Sequence, residues 1–128
     1  MMRALVGNGG KNARIFQPGP WMVPPSHAEA NGVLKRVLVP ADALPKTTGV
    51  SMAVIASGGL VPDHVHESKM EVFVVVAADE ASLLSVRGSD GGEVQLDVGD
   101  AVVFYPGVQH GLRNIGPGDV TVMYFGLV

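Results

Sequence analysis

The most distinctive segment of the chain is Gly58-Gly59-Leu60-Val61-Pro62-Asp63-His64-Val65-His66-Glu67-Ser68-Lys69-Met70-Glu71. It gathers two of the chain's four histidines and the Glu71 carboxylate into its last eight residues. In an extended strand alternate side chains share a face, so His64 and His66 point the same way and can grip one ion together. Glu71 has the wrong parity for that face. It joins the pair only if the chain turns after His66, and Glu67-Ser68-Lys69 is suitable polar turn material. The expectation is a hairpin that carries Glu71, at the start of the next strand, back against both imidazoles. A His-x-His pair alone is weak evidence, because two buried, hydrogen-bonded histidines would look the same.

Outward from this stretch, short apolar segments alternate with turn chemistry, which is the signature of strands. Candidate strands are 33–39, 50–57, 60–66, 70–77, 81–87, 93–97, 100–105, 109–114 and 119–127. Between them lie breakers such as Gly58-Gly59, Gly88-Ser89-Asp90-Gly91-Gly92, Pro106-Gly107 and Gly116-Pro117-Gly118. No segment carries a helical stripe. The pattern predicts an all-β fold, a closed barrel or double-sheet sandwich with a mouth or lumen for a ligand. Residues 1–30, with Gly9-Gly10, Pro18-Gly19-Pro20 and Pro24-Pro25, read as an irregular N-terminal arm with room for one short strand. Residues 31–128 read as a single barrel domain. Trp21 either covers one end of the core or contacts a partner subunit, and His27 reads as solvated.

Composition narrows the class. A chain of 128 residues supplies one core. Apolar residues make up 47% and charged residues only 16%, against roughly 25% charged in an average domain, which excludes disorder. Twenty-two valines favour strands, while 17 glycines and nine prolines exclude long helices. A net charge of −3 with nine scattered Lys and Arg offers no basic field for phosphates, so nucleic acid is not an expected partner. Without cysteine there are no disulfides, thiolate nucleophiles or sulfur-ligated metals, and any metal must take nitrogen and oxygen ligands. The opening Met1-Met2-Arg3-Ala4-Leu5-Val6 runs into glycine before a signal-peptide core forms, and the longest apolar run, Val72 to Ala78, is too short for a bilayer. A cytoplasmic protein with no membrane partner is expected.

Gly58, five residues, His64-x-His66, four residues and Glu71 resembles the first motif of the cupin superfamily. Gly99-Asp100-Ala101-Val102-Val103-Phe104-Tyr105-Pro106-Gly107-Val108-Gln109-His110-Gly111-Leu112-Arg113-Asn114 resembles its second: Gly, five residues, Pro-x-Gly, two residues, His, three residues, Asn. Ala78 stands where the first motif ends in Gly, and Tyr105 where the second has Pro. The resemblance implies a small single-domain cupin, an antiparallel β-barrel of the double-stranded β-helix or jelly-roll type, with His64, His66, Glu71 and His110 as metal ligands. One divalent ion per chain follows, Fe(II), Mn, Ni, Co, Cu or Zn, because nitrogen ligands disfavour calcium and magnesium. Such a set leaves one or two positions open for substrate, water or dioxygen. Glu71 and Tyr105 are the catalytic candidates: Glu71 as a ligand that doubles as base, Tyr105 as a phenol near the mouth or, equally, as a cap on the barrel wall.

Strand parity extends the reading to the lining. With Glu71 inward, Phe73, Val75 and Ala77 follow it, and Val72, Val74 and Val76 face outward. An outward valine row needs a cover, which points to a homodimer. Asn114 is assigned to fastening the Gly116-Pro117 turn. Strand 50–57 offers the lumen either Ser51, Ala53, Ile55 and Ser57 or Met52, Val54 and Ala56, and strand 119–127 either Met123, Phe125 and Leu127 or Val122 and Tyr124. The polar interior candidates are Arg36, Ser51, Gln109, Arg113 and the tyrosines. So few polar groups favour a small, partly apolar substrate with the metal doing the polar work. Dioxygenase or oxidoreductase chemistry is the leading expectation. A redox-neutral isomerase, cyclase or lyase is the alternative, and a non-catalytic ligand-binding or sensing cupin the second.

Overall fold

The computed structural model describes residues 2–6, 12–24 and 31–128, so His27 lies outside the described residues. Strands β1 (Met2–Val6) and β2 (Asn12–Phe16) pair antiparallel as a separate two-stranded sheet. The arm therefore holds two strands, where the breaker-rich sequence left room for one. Eight strands form the second sheet: β3 (Asn31–Val39), β4 (Thr47–His64), β5 (Met70–Ala78), β6 (Leu84–Arg87), β7 (Glu93–Leu96), β8 (Ala101–Phe104), β9 (His110–Asn114) and β10 (Val120–Leu127). All pairings are antiparallel, in the order β7-β6-β9-β4-β10-β5-β8 with β3 on the other side of the first half of β4. The result is a nearly closed all-β barrel of the jelly-roll kind. No helix among the described residues is long and apolar enough to cross a membrane.

One strand, β4, replaces the two expected at 50–57 and 60–66. Its first half pairs with β3 and β10, its second with β9, so the chain changes sheets without leaving the strand. Strands that switch sheets do so at bulges or bends, and here the bend is Gly58-Gly59. Gly58 has φ +73°, a conformation open to glycine at no steric cost. A Cβ on Gly59 would meet Gly32 O, Ala56 O and Ile55 Cγ2, each at 2.8 Å. The glycines that look like a strand break are the corner of one long strand.

Inward residues from both halves of the barrel build the core: Ile55, Phe73, Val75, Leu84, Val86, Leu112, Val120 and Val122 are all buried. Ala77 is a correction. Parity sends it inward with Glu71, yet it is exposed, and Ala78 packs against the core instead. Opposite β10, Thr121 pairs with Ala77 but Val122 pairs with Val75, so Val76 is an extra residue. This β-bulge inverts the alternation beyond it.

The arm meets the barrel along β3. Met22 and Lys35 exchange backbone hydrogen bonds at 2.8 Å, and Gly19 N–H donates to Val37 O. Trp21, 40% exposed, lies under the Arg36 guanidinium at 4.5 Å, and Arg36 Nε donates to Gly19 O. The aromatic does not cover the core; buried Pro24 closes that side of the lumen instead.

Candidate metal centre

Each of the four proposed ligands reaches the site by a different backbone device. His64 ends β4, and His66 lies two residues beyond the end of the strand, still on the same side of the chain. Residues 67 and 68 bend, and Glu71 enters β5. The turn is no hairpin, because β4 and β5 are separated by β10; it crosses the barrel end between strands that do not touch. His110 opens β9 directly opposite His64 in the register. Gly107, at φ +82°, turns the preceding loop so that its N–H donates to His66 O at 2.9 Å, which ties the second ligand segment to the first.

One ligand atom from each of His64, His66, Glu71 and His110 lies within 4.8 Å of all the others. The three ring centroids stand 4.4, 4.8 and 5.5 Å apart. Glu71 and His110 are buried, and His64 and His66 are half-buried on the open side. Phe104 stacks flat on the His110 ring at 4.1 Å and 8°, fixing its plane.

The donor chemistry fits a cation. His110 Nδ1 lies 3.0 Å from Val108 O and His64 Nδ1 2.8 Å from Pro62 O. Bonds of Nδ1–H to carbonyls select the tautomer whose Nε2 carries a lone pair, the usual outer support of a metal-binding histidine. His110 Nε2 then faces Glu71 Oε1 at 3.1 Å, and His66 Nε2 stands 3.1 Å from the same oxygen. The His110 lone pair directed at a carboxylate needs a positive charge between them, either a metal ion or a proton, and with a proton there the contact is a His110–Glu71 hydrogen bond. Three imidazole nitrogens and one carboxylate suit a first-row divalent transition metal.

The local field keeps the ligands ready. Burial pushes the Glu71 carboxyl up, but the His110 hydrogen bond and the nearby Lys69, His66 and His110 charges outweigh it and hold the group below its ordinary value. His66 is lowered, mainly by burial, with Lys69 and the other two histidines opposing the pull of Glu71. The carboxylate and the neutral imidazole are the ligand-competent forms. Lys69 Nζ stands 3.8 Å from Glu71 Oε2, and its stem passes over Gly126, where a Cβ would come within 2.8 Å of Lys69 Cδ.

Below the ligands the lumen is apolar, with a cavity of about 30 Å³ walled by residues including Ala53, Ile55, Val61, Phe73, Leu112 and Val122. Tyr124 also lines it, stacked on Phe73 at 5.1 Å with Lys35 Nζ 6.0 Å over its ring. Burial pushes the Tyr124 phenol up to about 12, against a hydrogen bond with Ser51 and with the help of the Glu71 charge. Tyr105, the phenol singled out from the motif, is elsewhere. It follows inward-facing Phe104 and so faces out, 61% exposed, away from the ligand cluster. Parity had offered Tyr124 to the lumen only as one of two options, and the pairing of Tyr124 with Ser51 and Phe73 selects it. Arg113 is exposed, bound to Glu93 at 3.5 Å, and Arg36 is taken up by the arm.

A nearly closed antiparallel barrel with three histidines and a glutamate at one end of an apolar lumen defines a class of small β-barrel protein with a candidate mononuclear metal site. The chain belongs to the cupin family: the family model of the cupin domain matches residues 51–126, which hold all four clustered residues. A search of curated proteins finds no match. Among solved structures, a predicted oxalate decarboxylase from Thermotoga maritima superposes with TM-score 0.74 at 18% identity, covering 88% of this chain and 93% of that one. The polyketide cyclase RemF from Streptomyces resistomycificus gives 0.64 at 17% identity, over 77% and 66% of the chains. The cupin domain of an XRE-family transcriptional regulator from Enterobacter cloacae gives 0.64 at 20% identity, over 77% and 98%. The fold thus serves enzymes and a regulator alike, and these likenesses carry the architecture alone.

Proposed function

We propose that this protein is a mononuclear metal-dependent enzyme that acts on a compact, partly apolar molecule in the barrel lumen. The observation that carries the reading is the convergence of His64, His66, Glu71 and His110 at the end of a cavity whose other walls are almost wholly apolar. A bound transition ion would supply Lewis acidity and, if redox-active, a route for electrons to dioxygen. The chain's own part is to hold Glu71 and His66 in their deprotonated forms, to keep bulk water out with Ile55, Phe73 and Leu112, and to orient the substrate. No carboxylate besides Glu71 lines the site among the described residues, which favours oxygen chemistry over a mechanism built on a pair of acids and bases. The redox-neutral reading, isomerase, cyclase or lyase, is supported by one feature: Glu71 as proton acceptor with Tyr124, kept protonated, as donor. The test is anaerobic reconstitution with Fe(II), Mn, Ni, Co, Cu or Zn in turn, followed by oxygen uptake with small enolisable and phenolic compounds. Oxygen consumption with Fe(II) or another redox-active ion is expected. Turnover with Zn and without oxygen would transfer the proposal to the redo-neutral class, and no turnover with any ion would leave a ligand-binding cupin.

A homodimer belongs to the same proposal. The outer face of the sheet carries Leu34, Val54, Met123, Val74, Val76 and Val103, with Leu34, Val76 and Val103 exposed. A contiguous apolar face of this kind marks an association surface. Light scattering at micromolar concentration should give twice the chain mass of 13.3 kDa, and Val74→Lys should return it to that value. A monomeric parent protein would remove the dimer.

A further inference from the structure

The metal-enzyme reading leaves open what the lumen does with the rest of the substrate, and Tyr124 is placed to answer. Its strand pairs it with Ser51 on one side and Phe73 on the other. Phe73 stands two residues from Glu71 on β5, so the Tyr124 layer lies about 7 Å along the barrel from the carboxylate layer. His64 and His110 of the ligand cluster line the same cavity as Phe73 and Tyr124. The ring cannot swing freely: it stacks on Phe73 with only 16° between planes.

Ser51 is buried beside Tyr124 across the β4–β10 register. A serine hydroxyl can donate to the phenolic oxygen as well as accept from it. With Ser51 as the donor, the phenol proton is available to a ligand in the cavity, whose walls beyond the histidines are apolar. Burial and the Glu71 charge keep that proton on the oxygen at any physiological pH. A fixed donor in an apolar cavity is a specificity element, because a ligand that satisfies it gains a hydrogen bond and one that does not strands a buried O–H.

We propose that Tyr124, oriented by Ser51 and Phe73, is a positioning residue that donates a hydrogen bond to the bound substrate, so that the site selects small molecules carrying two oxygen functions on an otherwise apolar frame, one for the metal centre and one at the phenol. This rests on the metal-site reading above. The cavity of about 30 Å³ sets the scale: by the measure in which one water needs about 10–15 Å³, only the reactive end of a ligand enters, and any longer part stays at the mouth.

The test uses the full chain loaded with Co(II), whose visible spectrum reports ligands entering the site. Acetohydroxamate presents two oxygens. Imidazole, of similar size, binds a metal through one nitrogen and offers no acceptor to the phenol, because its second nitrogen carries a proton. Tyr124→Phe keeps the ring stack and removes only the hydroxyl. The variant is expected to take up one Co(II) per chain with the parent's spectrum, to bind imidazole as the parent does, and to bind acetohydroxamate roughly five- to tenfold more weakly, the worth of one hydrogen bond. Ser51→Ala should weaken acetohydroxamate in the same selective way but less. Equal binding of both probes by Tyr124→Phe and the parent, or equal loss of both, overturns the proposal. Should Tyr124→Phe not fold, unchanged acetohydroxamate binding by Ser51→Ala overturns it instead. A parent chain that takes up no Co(II) would show the different failure, that of the metal site itself, and the Tyr124 proposal would fall with it.

Discussion

Replacing His110 with alanine should leave a folded barrel that no longer holds a stoichiometric metal ion. His110 is the one ligand that comes from the second motif, and it is 2% exposed beneath the Phe104 ring. Its Nδ1 is held on Val108 O while its Nε2 faces Glu71, so the ring is fixed at both nitrogens. Loss of an outer-shell partner to a metal-binding histidine typically costs about 10–100-fold in affinity; loss of the histidine itself should exceed that. Glu71 would stay buried beside His66 and Lys69 but lose its hydrogen bond to His110, so its carboxyl should move back up toward the usual range. Elemental analysis of protein purified in parallel with the parent, followed by calorimetric titration with Zn, Ni and Fe(II), measures the loss. A variant that keeps one ion per chain at the parent's affinity would remove His110 from the site.

Asn114→Ala should be the most damaging single change away from the metal, at about 3–5 kcal/mol of folding free energy. The side chain is 1% exposed and fully used. Its Nδ2 donates to Ile55 O at 2.8 Å and to Gly118 O at 2.7 Å, and its Oδ1 accepts from Gly116 N–H at 2.9 Å. Three bonds join β9 to β4 and to the turn that feeds β10, and Gly118 is clamped again by the Ser82 hydroxyl, which donates to its carbonyl and accepts from its N–H. Truncation removes the partner of Ile55 O and of Gly116 N–H and leaves Gly118 O to Ser82 alone, and each buried unmet group costs about 1–3 kcal/mol. Urea unfolding reads the change as a lower midpoint at constant slope. A loss below about 1 kcal/mol would mean that water or a shifted turn replaces those bonds.

The assignment of Asn114 to the turn was legible because an asparagine two residues before Gly116 is local turn chemistry. The same locality explains the other successes. His64 and His66 share a side because they are two residues apart, and Glu71, Phe73 and Val75 face inward together for the same reason. Where the reading went astray, the cause was a neighbour out of sight in the chain. Gly58-Gly59 reads as a break between strands, but pairing on both sides of it makes a corner within β4. Ala77 reads as inward, but the bulge at Val76 exists only in the register with β10. Tyr105 attracted notice by occupying a proline position five residues from His110, yet its alternation with buried Phe104 turns it outward.

The residue types of the candidate site, their grouping in two motifs and the absence of any sulfur ligand were determined by the sequence alone, since each is a matter of identity and short spacing. Tertiary structure decided which of them meet. His110 comes opposite His64 only through the β4–β9 register, and Tyr124 becomes the lumen phenol only through its pairing with Ser51 and Phe73. Strand alternation acts over two residues and can be read along the chain, whereas register is set by partners dozens of residues away, and every contact that defines this lumen depends on it.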